Sequence, residues 1–131
     1  AVREAVSICD VGTLGKLQIS GPDALEALER LYPTHVGTLK TGRSRYALLL
    51  DDRGYVLDDG LISKDSDTRF TLTFTSGGAT TAELWVRDWL DAWALDVRVL
   101  NRTMSLGAIN VTGPQATALL ERLGLAASEA D

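Results

Sequence analysis

The sequence predicts an α+β fold in which antiparallel sheets carry helices packed on one side. Three observations carry that prediction. RFTLTFT at residues 69–75 alternates strictly between polar and apolar side chains, the period of a half-buried strand. Residues 44–64 hold two strand-forming runs, 45–50 and 55–62, joined by Asp51-Asp52-Arg53-Gly54. Asp caps its own backbone and Gly takes positive φ freely, so this stretch reads as a β-hairpin. Finally, residues 15–31 (GKLQISGPDALEALERL) align without gaps onto residues 107–123 (GAINVTGPQATALLERL), with eight of 17 positions identical. Each copy reads as a strand, a Gly-Pro break and a helix.

Taken in order, residues 3–9 read as a short helical turn leading to Asp10. Residues 16–20 alternate, with Leu17 and Ile19 on one face of a strand. Gly21-Pro22 ends it, with Pro at the first helical position, where its missing N–H does no harm. Over 23–32, Ala24, Leu25, Leu28 and Leu31 recur at helical spacing, with acidic residues near the start and Arg30 near the end, both favourable to the helix dipole. Pro33 stops this helix, and a loop over 33–44 leads into the hairpin. A polar turn at 65–68 precedes the 69–75 strand, and Ser76-Gly77-Gly78 turns into a helix over 79–90. Its Leu84, Trp85 and Trp89, with Trp93 just beyond, form an aromatic stripe read as core. Strands are expected at 96–100 and 106–112, and Gly113-Pro114 opens a last helix that Gly124 closes. The two repeat copies are expected to share one layer and one sheet. Residues 1–36 and 101–131 would then form a discontinuous strand–helix subdomain around an inserted β-β-β-α-β module over 37–100.

Composition removes several classes of function. A chain of 131 residues can bury a real core as one domain or part of a larger one. Its net charge of −5 argues against nucleic acid or an anionic membrane as the main partner. No apolar run approaches the ~18 residues of a membrane span, and the N-terminus lacks a signal-peptide pattern. Cys9 is the single cysteine, which suits a reducing, cytoplasmic setting, and His35 is the single histidine. One Cys and one His make no ordinary zinc site, so no metal is expected. The expected pair is a small buried Cys and a loop His. Gly12-Thr13-Leu14-Gly15 lacks the spacing of a dinucleotide fingerprint. The chain starts without Met and stops on a polar AASEAD tail, as a fragment would.

The unusual chemistry lies in the second hairpin strand, where Asp58-Asp59 sits between Val56-Leu57 and Leu61-Ile62. Asp is depleted in strand interiors, and a carboxylate among apolar residues is costly unless something binds it. Adjacent strand residues point to opposite faces, so the two cannot act as a side-by-side dyad. An even loop centred on Asp52-Arg53 would set Tyr46 opposite Asp59 and Ala47 opposite Asp58. Tyr46 and Asp59 would then form one polar spot among Leu48, Leu57 and Leu61. A three-residue loop with a bulge at Gly54 would shift that pairing by one. A purely structural role, capping neighbouring backbone or pairing with Arg43 or Arg45, is the competing reading for both carboxylates.

TLGKLQISGPDA (13–24), GRSRYALLLDDRGYVLDDG (42–60) and TFTSGGA (73–79) resemble the aminomethyltransferase (glycine-cleavage T-protein) superfamily. Within it they are most similar to the C-terminal folate-binding half of the heterotetrameric sarcosine oxidase alpha subunit. The likeness runs from about Arg3 to Leu123. It implies tetrahydrofolate as cofactor and the transfer of a one-carbon unit to it. By position it implies Asp59 as the essential acidic residue and Tyr46 as a residue lining the same site. Thr75, Ser76 and Gly77 fall where T-proteins usually have a ligand-contacting Val-Asn-Ala segment; the Asn is absent here. The resemblance assigns Asp59 a functional role, and for Asp58 the structural role is kept. A Gly-Tyr-Thr-Gly-Glu stretch and a later Arg complete the family's folate site, and neither occurs in this chain. The expectation is therefore the first part of a folate-dependent one-carbon transfer region, inactive alone. Flavin or NAD chemistry would reside in other parts of a parent complex, whose other subunits would be partners. The alternatives are a stand-alone aminomethyltransferase of the glycine-cleavage type and a non-catalytic folate-binding or subunit-contact module.

Overall fold

The computed structural model describes residues 2–125, so the AASEAD tail lies outside the described residues. Two compact units divide the chain, one comprising the segments up to Gly12 and from Gly107, the other Thr13–Leu106.

In the larger unit five strands form one sheet: β2 (Gly15–Ser20), β3 (Ser44–Leu50), β4 (Val56–Ser66), β5 (Arg69–Phe74) and β6 (Arg98–Asn101). Their order is β3-β4-β5-β2-β6, every neighbouring pair antiparallel. Strand alternation gives this sheet two unlike faces. Leu17, Ile19, Ala47, Leu49, Ile62, Phe70, Leu72 and Phe74 are buried on one face. They pack with Ala24, Ala27, Leu28 and Leu31 of α1 (Ala24–Leu31) and with Ala82, Val86 and Leu90 of α2 (Ala79–Trp93). The fold class is thus α+β, with antiparallel sheet and helices covering one face, as the sequence predicted.

The Trp stripe falls beside the core rather than in it. The inner face of α2 is Ala82, Val86 and Leu90, spaced by four. Trp85, Trp89 and Trp93 share that spacing but lie on the adjoining stripe, half-buried against the core. They pack on one another, Trp85 edge-on to Trp89 at 5.7 Å and Trp89 stacked on Trp93 at 5.2 Å between ring centroids. Together with Tyr32, Pro33, Leu50 and the Arg30 side chain they line an open cleft of about 390 Å³.

The smaller unit pairs β1 (Ser7–Asp10) antiparallel with β7 (Ile109–Thr112), followed by α3 (Ala116–Arg122). Of the expected helical turn over 3–9, residues 2–4 do form turns, but Ser7–Asp10 is a strand. Cys9 sits exposed on β1, against the expectation of a buried thiol. β2 and β7 belong to different sheets, so the two repeat copies do not share the expected sheet, while the elements from β3 to β6 run β-β-β-α-β as expected.

The repeat survives as local geometry. Gly21 and Gly113 both take positive φ, 146° and 130°. A Cβ on Gly21 would lie 2.2 Å from the Asp96 carbonyl oxygen, and one on Gly113 2.3 Å from that of Ala5. The Ala24 amide donates to the Gly21 carbonyl and the Ala116 amide to that of Gly113, at 3.2 and 3.0 Å. Even the strand register corresponds: Ser20 pairs with Arg98 on one side, and its counterpart Thr112 pairs with Ser7. The Gly-Pro signature thus encodes a tight backbone crossing beside an antiparallel partner, made once in each unit.

Candidate functional site

Asp51-Asp52-Arg53-Gly54 makes a three-residue loop. The Asp51 amide donates to the Tyr55 carbonyl at 2.8 Å, the Gly54 amide to Asp51 at 3.0 Å, and Gly54 takes φ +86°. The Asp51 carboxylate accepts from the Arg53 and Tyr55 amides, at 2.9 and 2.8 Å. Leu50 then pairs with Val56, but Leu49 pairs with Asp58, leaving Leu57 as the extra residue of a bulge. Loop and bulge each shift the register by one. Tyr46 therefore lies opposite Leu61 and Asp59 opposite Leu48, correcting the expected Tyr46–Asp59 and Ala47–Asp58 pairs. Two single shifts preserve parity, so Tyr46 and Asp59 still share a face as diagonal neighbours, a relation with a usual Cα spacing of about 7–8 Å.

That face is the one the helices leave open. Tyr46 is 76% exposed and Leu48 46%, and the Asp59 side chain is exposed beside them and the half-buried Leu61, whereas Leu57, expected in the same spot, packs against the core instead. Among the described residues the Asp59 carboxylate has no hydrogen-bond or ion-pair partner. Arg45, one of the expected structural partners, instead donates to the His35 carbonyl and the Thr38 hydroxyl, at 2.5 and 3.0 Å.

Asp58 points the other way, into the core face, and is 5% exposed. Its Oδ1 accepts from the amides of Asp59 at 2.7 Å and Thr75 at 3.2 Å, and its Oδ2 from the Thr75 hydroxyl at 3.1 Å. The Thr75 Oγ1 in turn accepts from the Gly78 amide at 3.0 Å, at the N-terminus of α2. Gly78 is needed here for close approach, since a Cβ would lie 2.0 Å from Asp58 Oδ2. Burial, reinforced by the nearby Asp58 charge, pushes the Tyr32 phenol well above its ordinary pKa, so that ring stays neutral.

Of the expected ligand-contacting turn, Thr75 is thus tied to Asp58, and Ser76 donates its hydroxyl to Thr13 Oγ1 at 2.8 Å. Gly77 is exposed, with open space where a side chain would begin. Sequence reasoning missed Thr73 and Gly60. The Leu61 amide donates to Thr73 Oγ1 at 2.9 Å, and a Cβ on Gly60 would lie 1.9 Å from the Thr73 carbonyl oxygen. A Gly directly after an Asp pair inside a strand was the available signal. Gly60→Ala forces β4 off β5 beside Asp59 and is expected to cost about 1–3 kcal/mol, read from the urea midpoint. An unchanged midpoint would show that the strands separate there freely.

An antiparallel sheet with one face under helices and an open face carrying the Asp59 carboxylate near Tyr46 and Leu48 makes this an α+β domain. The family model described as the GCVT N-terminal domain matches residues 1–130, and the chain belongs to that family. It is 38% identical over 125 residues to the sarcosine oxidase subunit alpha of Corynebacterium sp. strain P-1, covering 94% of this chain and 13% of that protein. A probable aminomethyltransferase of Halobacterium salinarum is 36% identical over 124 residues, covering 92% of this chain and 34% of the relative. The crystal structure of the glycine cleavage system aminomethyltransferase T from Bartonella henselae superposes with a TM-score of 0.88 at 27% identity. That match covers 98% of this chain and 35% of the crystallised one. The chain is an aminomethyltransferase-like domain that spans about a third or less of these relatives. Among the described residues, no helix is long and apolar enough to cross a membrane.

Proposed function

We propose that this chain forms one wall of a tetrahydrofolate site in a one-carbon transfer protein of the sarcosine oxidase alpha type. The observation that carries the reading is the unpartnered Asp59 carboxylate beside the exposed Tyr46 ring on the open face of the sheet. The donor set suits a reduced pterin. Tyr46 offers a ring to stack on, Leu48 and Leu61 offer apolar surface, and Asp59 offers an acceptor for ring N–H groups. Bound there, tetrahydrofolate would supply the amine that accepts the one-carbon unit. Asp59 would orient that amine and hold or accept its proton, while the sheet at its back keeps the carboxylate in place. Thr75, Ser76 and Gly77 stand at the edge of the same region, with Thr75 acting through Asp58.

An open sheet face is half a channel, so the complete protein would have to supply the opposite wall. A ligand held on one side only leaves polar groups without protein partners, and the 131-residue chain alone is expected to bind tetrahydrofolate weakly or not at all. The test is isothermal titration of tetrahydrofolate into the complete protein, with methylenetetrahydrofolate formation followed alongside. Saturable binding with product formation supports the reading. Absence of binding by the complete protein would leave the sheet face as a subunit-contact surface. Identities of 34–38% to sarcosine oxidase alpha subunits and 36% to an aminomethyltransferase overlap, so a stand-alone aminomethyltransferase is the alternative parent. In a sarcosine oxidase, flavin or NAD chemistry and other subunits would lie elsewhere in the complex.

A further inference from the structure

We propose that Asp58 is the positioning residue of this site, holding Asp59 and the Thr75–Gly78 turn together as one unit. The catalytic consequence rests on the function proposed above; the coupling itself rests on geometry alone.

The two functional segments come from different parts of the chain, one inside β4 and the other where β5 runs into α2. The ladder between those strands begins at Ile62 opposite Leu72, bulges between Lys64 and Ser66, and does not extend back to Asp59. At Asp59 the strand is paired on its β3 side, with Leu48, but on the β5 side the ladder is replaced by the Leu61 amide on Thr73 Oγ1, two residues short of Thr75. Asp58 supplies the link. One buried carboxylate takes the amide of Asp59, the amide of Thr75 and the hydroxyl of Thr75. The chain of donors continues through Thr75 Oγ1 to the Gly78 amide, so the first turn of α2 is tied to the same group. Bonds to an ionised acceptor are roughly twice as strong as neutral ones. Gly78 lets the carboxylate sit this close to the start of α2, where a Cβ would lie 2.0 Å from Oδ2. Asp58 does not reach the open face, so it can act on a ligand there only through Asp59 and the turn.

The geometry predicts a particular pattern of coupling. In the complete protein, Asp58→Ala is expected to lower turnover about 10-fold or more, since small misplacements of a reacting pair are costly in rate. In an Asp59→Asn background the same change is expected to cost less than about 2-fold, because the residue it positions is already disabled. Asp58→Asn, which keeps one acceptor oxygen in place, should recover part of the loss. Equal factors in both backgrounds would overturn the proposal, since a purely structural defect acts regardless of Asp59.

A second measurement needs no activity. In the 131-residue chain, hydrogen exchange at the Asp59 and Thr75 amides should accelerate together by about 10-fold or more in Asp58→Ala. The amides of Ile19 and Leu72 should accelerate less than those two, by no more than the global loss of stability, and report a core that still folds. Unchanged exchange at Asp59 would overturn the coupling. Should Asp59→Asn prove fully active, the function proposed above fails, and this exchange result alone decides the coupling. If Asp58→Ala does not fold, Asp58→Asn carries both measurements, with smaller shifts in the same direction.

Discussion

Asp59→Asn is expected to cut transfer of a one-carbon unit to tetrahydrofolate by about 10²-fold or more in the complete protein, the usual scale for a positioned acid/base group. The fold should be untouched. The side chain is exposed, takes part in no hydrogen bond among the described residues, and Asn keeps its shape while removing the charge. In a sarcosine oxidase, substrate oxidation at the flavin should survive, and the released carbon should appear as formaldehyde rather than methylenetetrahydrofolate. The measurement is the partition of product between those two with tetrahydrofolate present. Because Asp58 faces the core, its variants should lower melting temperature as well as transfer, whereas Asp59→Asn should lower transfer alone. Undiminished methylenetetrahydrofolate from Asp59→Asn would return Asp59 to a surface carboxylate without function.

The elements were legible because their signals are local. RFTLTF alternates and becomes β5, and Ala24, Leu28 and Leu31 recur at helical spacing and become the inner face of α1. The Asp-Asp-Arg-Gly turn joins β3 to β4 where the composition placed it. What failed was the relation between elements. The pairing of β3 with β4 depends on where a bulge falls, and nothing in Val56-Leu57-Asp58 announces that Leu57 is the extra residue. Face assignment survived only because loop and bulge each moved the register by one. The repeat was equally legible and equally misleading. Gly-Pro specifies a positive-φ crossing, which both copies make, but it carries no information on which sheet the strand joins. In α2 the stripes Ala82-Val86-Leu90 and Trp85-Trp89-Trp93 have the same period, and hydropathy alone favoured the larger side chains as the inner one. The role of Asp58 was visible only as a cost, since a carboxylate in a strand needs donors. One donor is the neighbouring Asp59 amide, but the other two come from Thr75, 17 residues away in sequence.

Phe70→Ala should cost about 3–5 kcal/mol of stability, and Trp89→Ala about 1–2 kcal/mol, although Trp is the larger side chain. Phe70 is 0% exposed and sits mid-sheet, with Ile19 of β2 on one side and Lys64 of β4 on the other. It belongs to the buried cluster that the sheet shares with α1 and α2. The strands around it are fixed by their ladder bonds, so the cavity left by truncation cannot collapse, and the cavity cost adds to the lost burial. Trp89 is half-buried and already meets solvent at the cleft. Its removal forfeits the stack on Trp93 and the edge contact with Trp85, but water can enter the space and no closed void is left. Urea unfolding followed by circular dichroism avoids the loss of the Trp89 fluorescence signal and gives both values on one scale. If Trp89→Ala proved as costly as Phe70→Ala, the Trp stripe would be part of the core after all, and Ala82, Val86 and Leu90 would not be the face that holds α2 to the sheet.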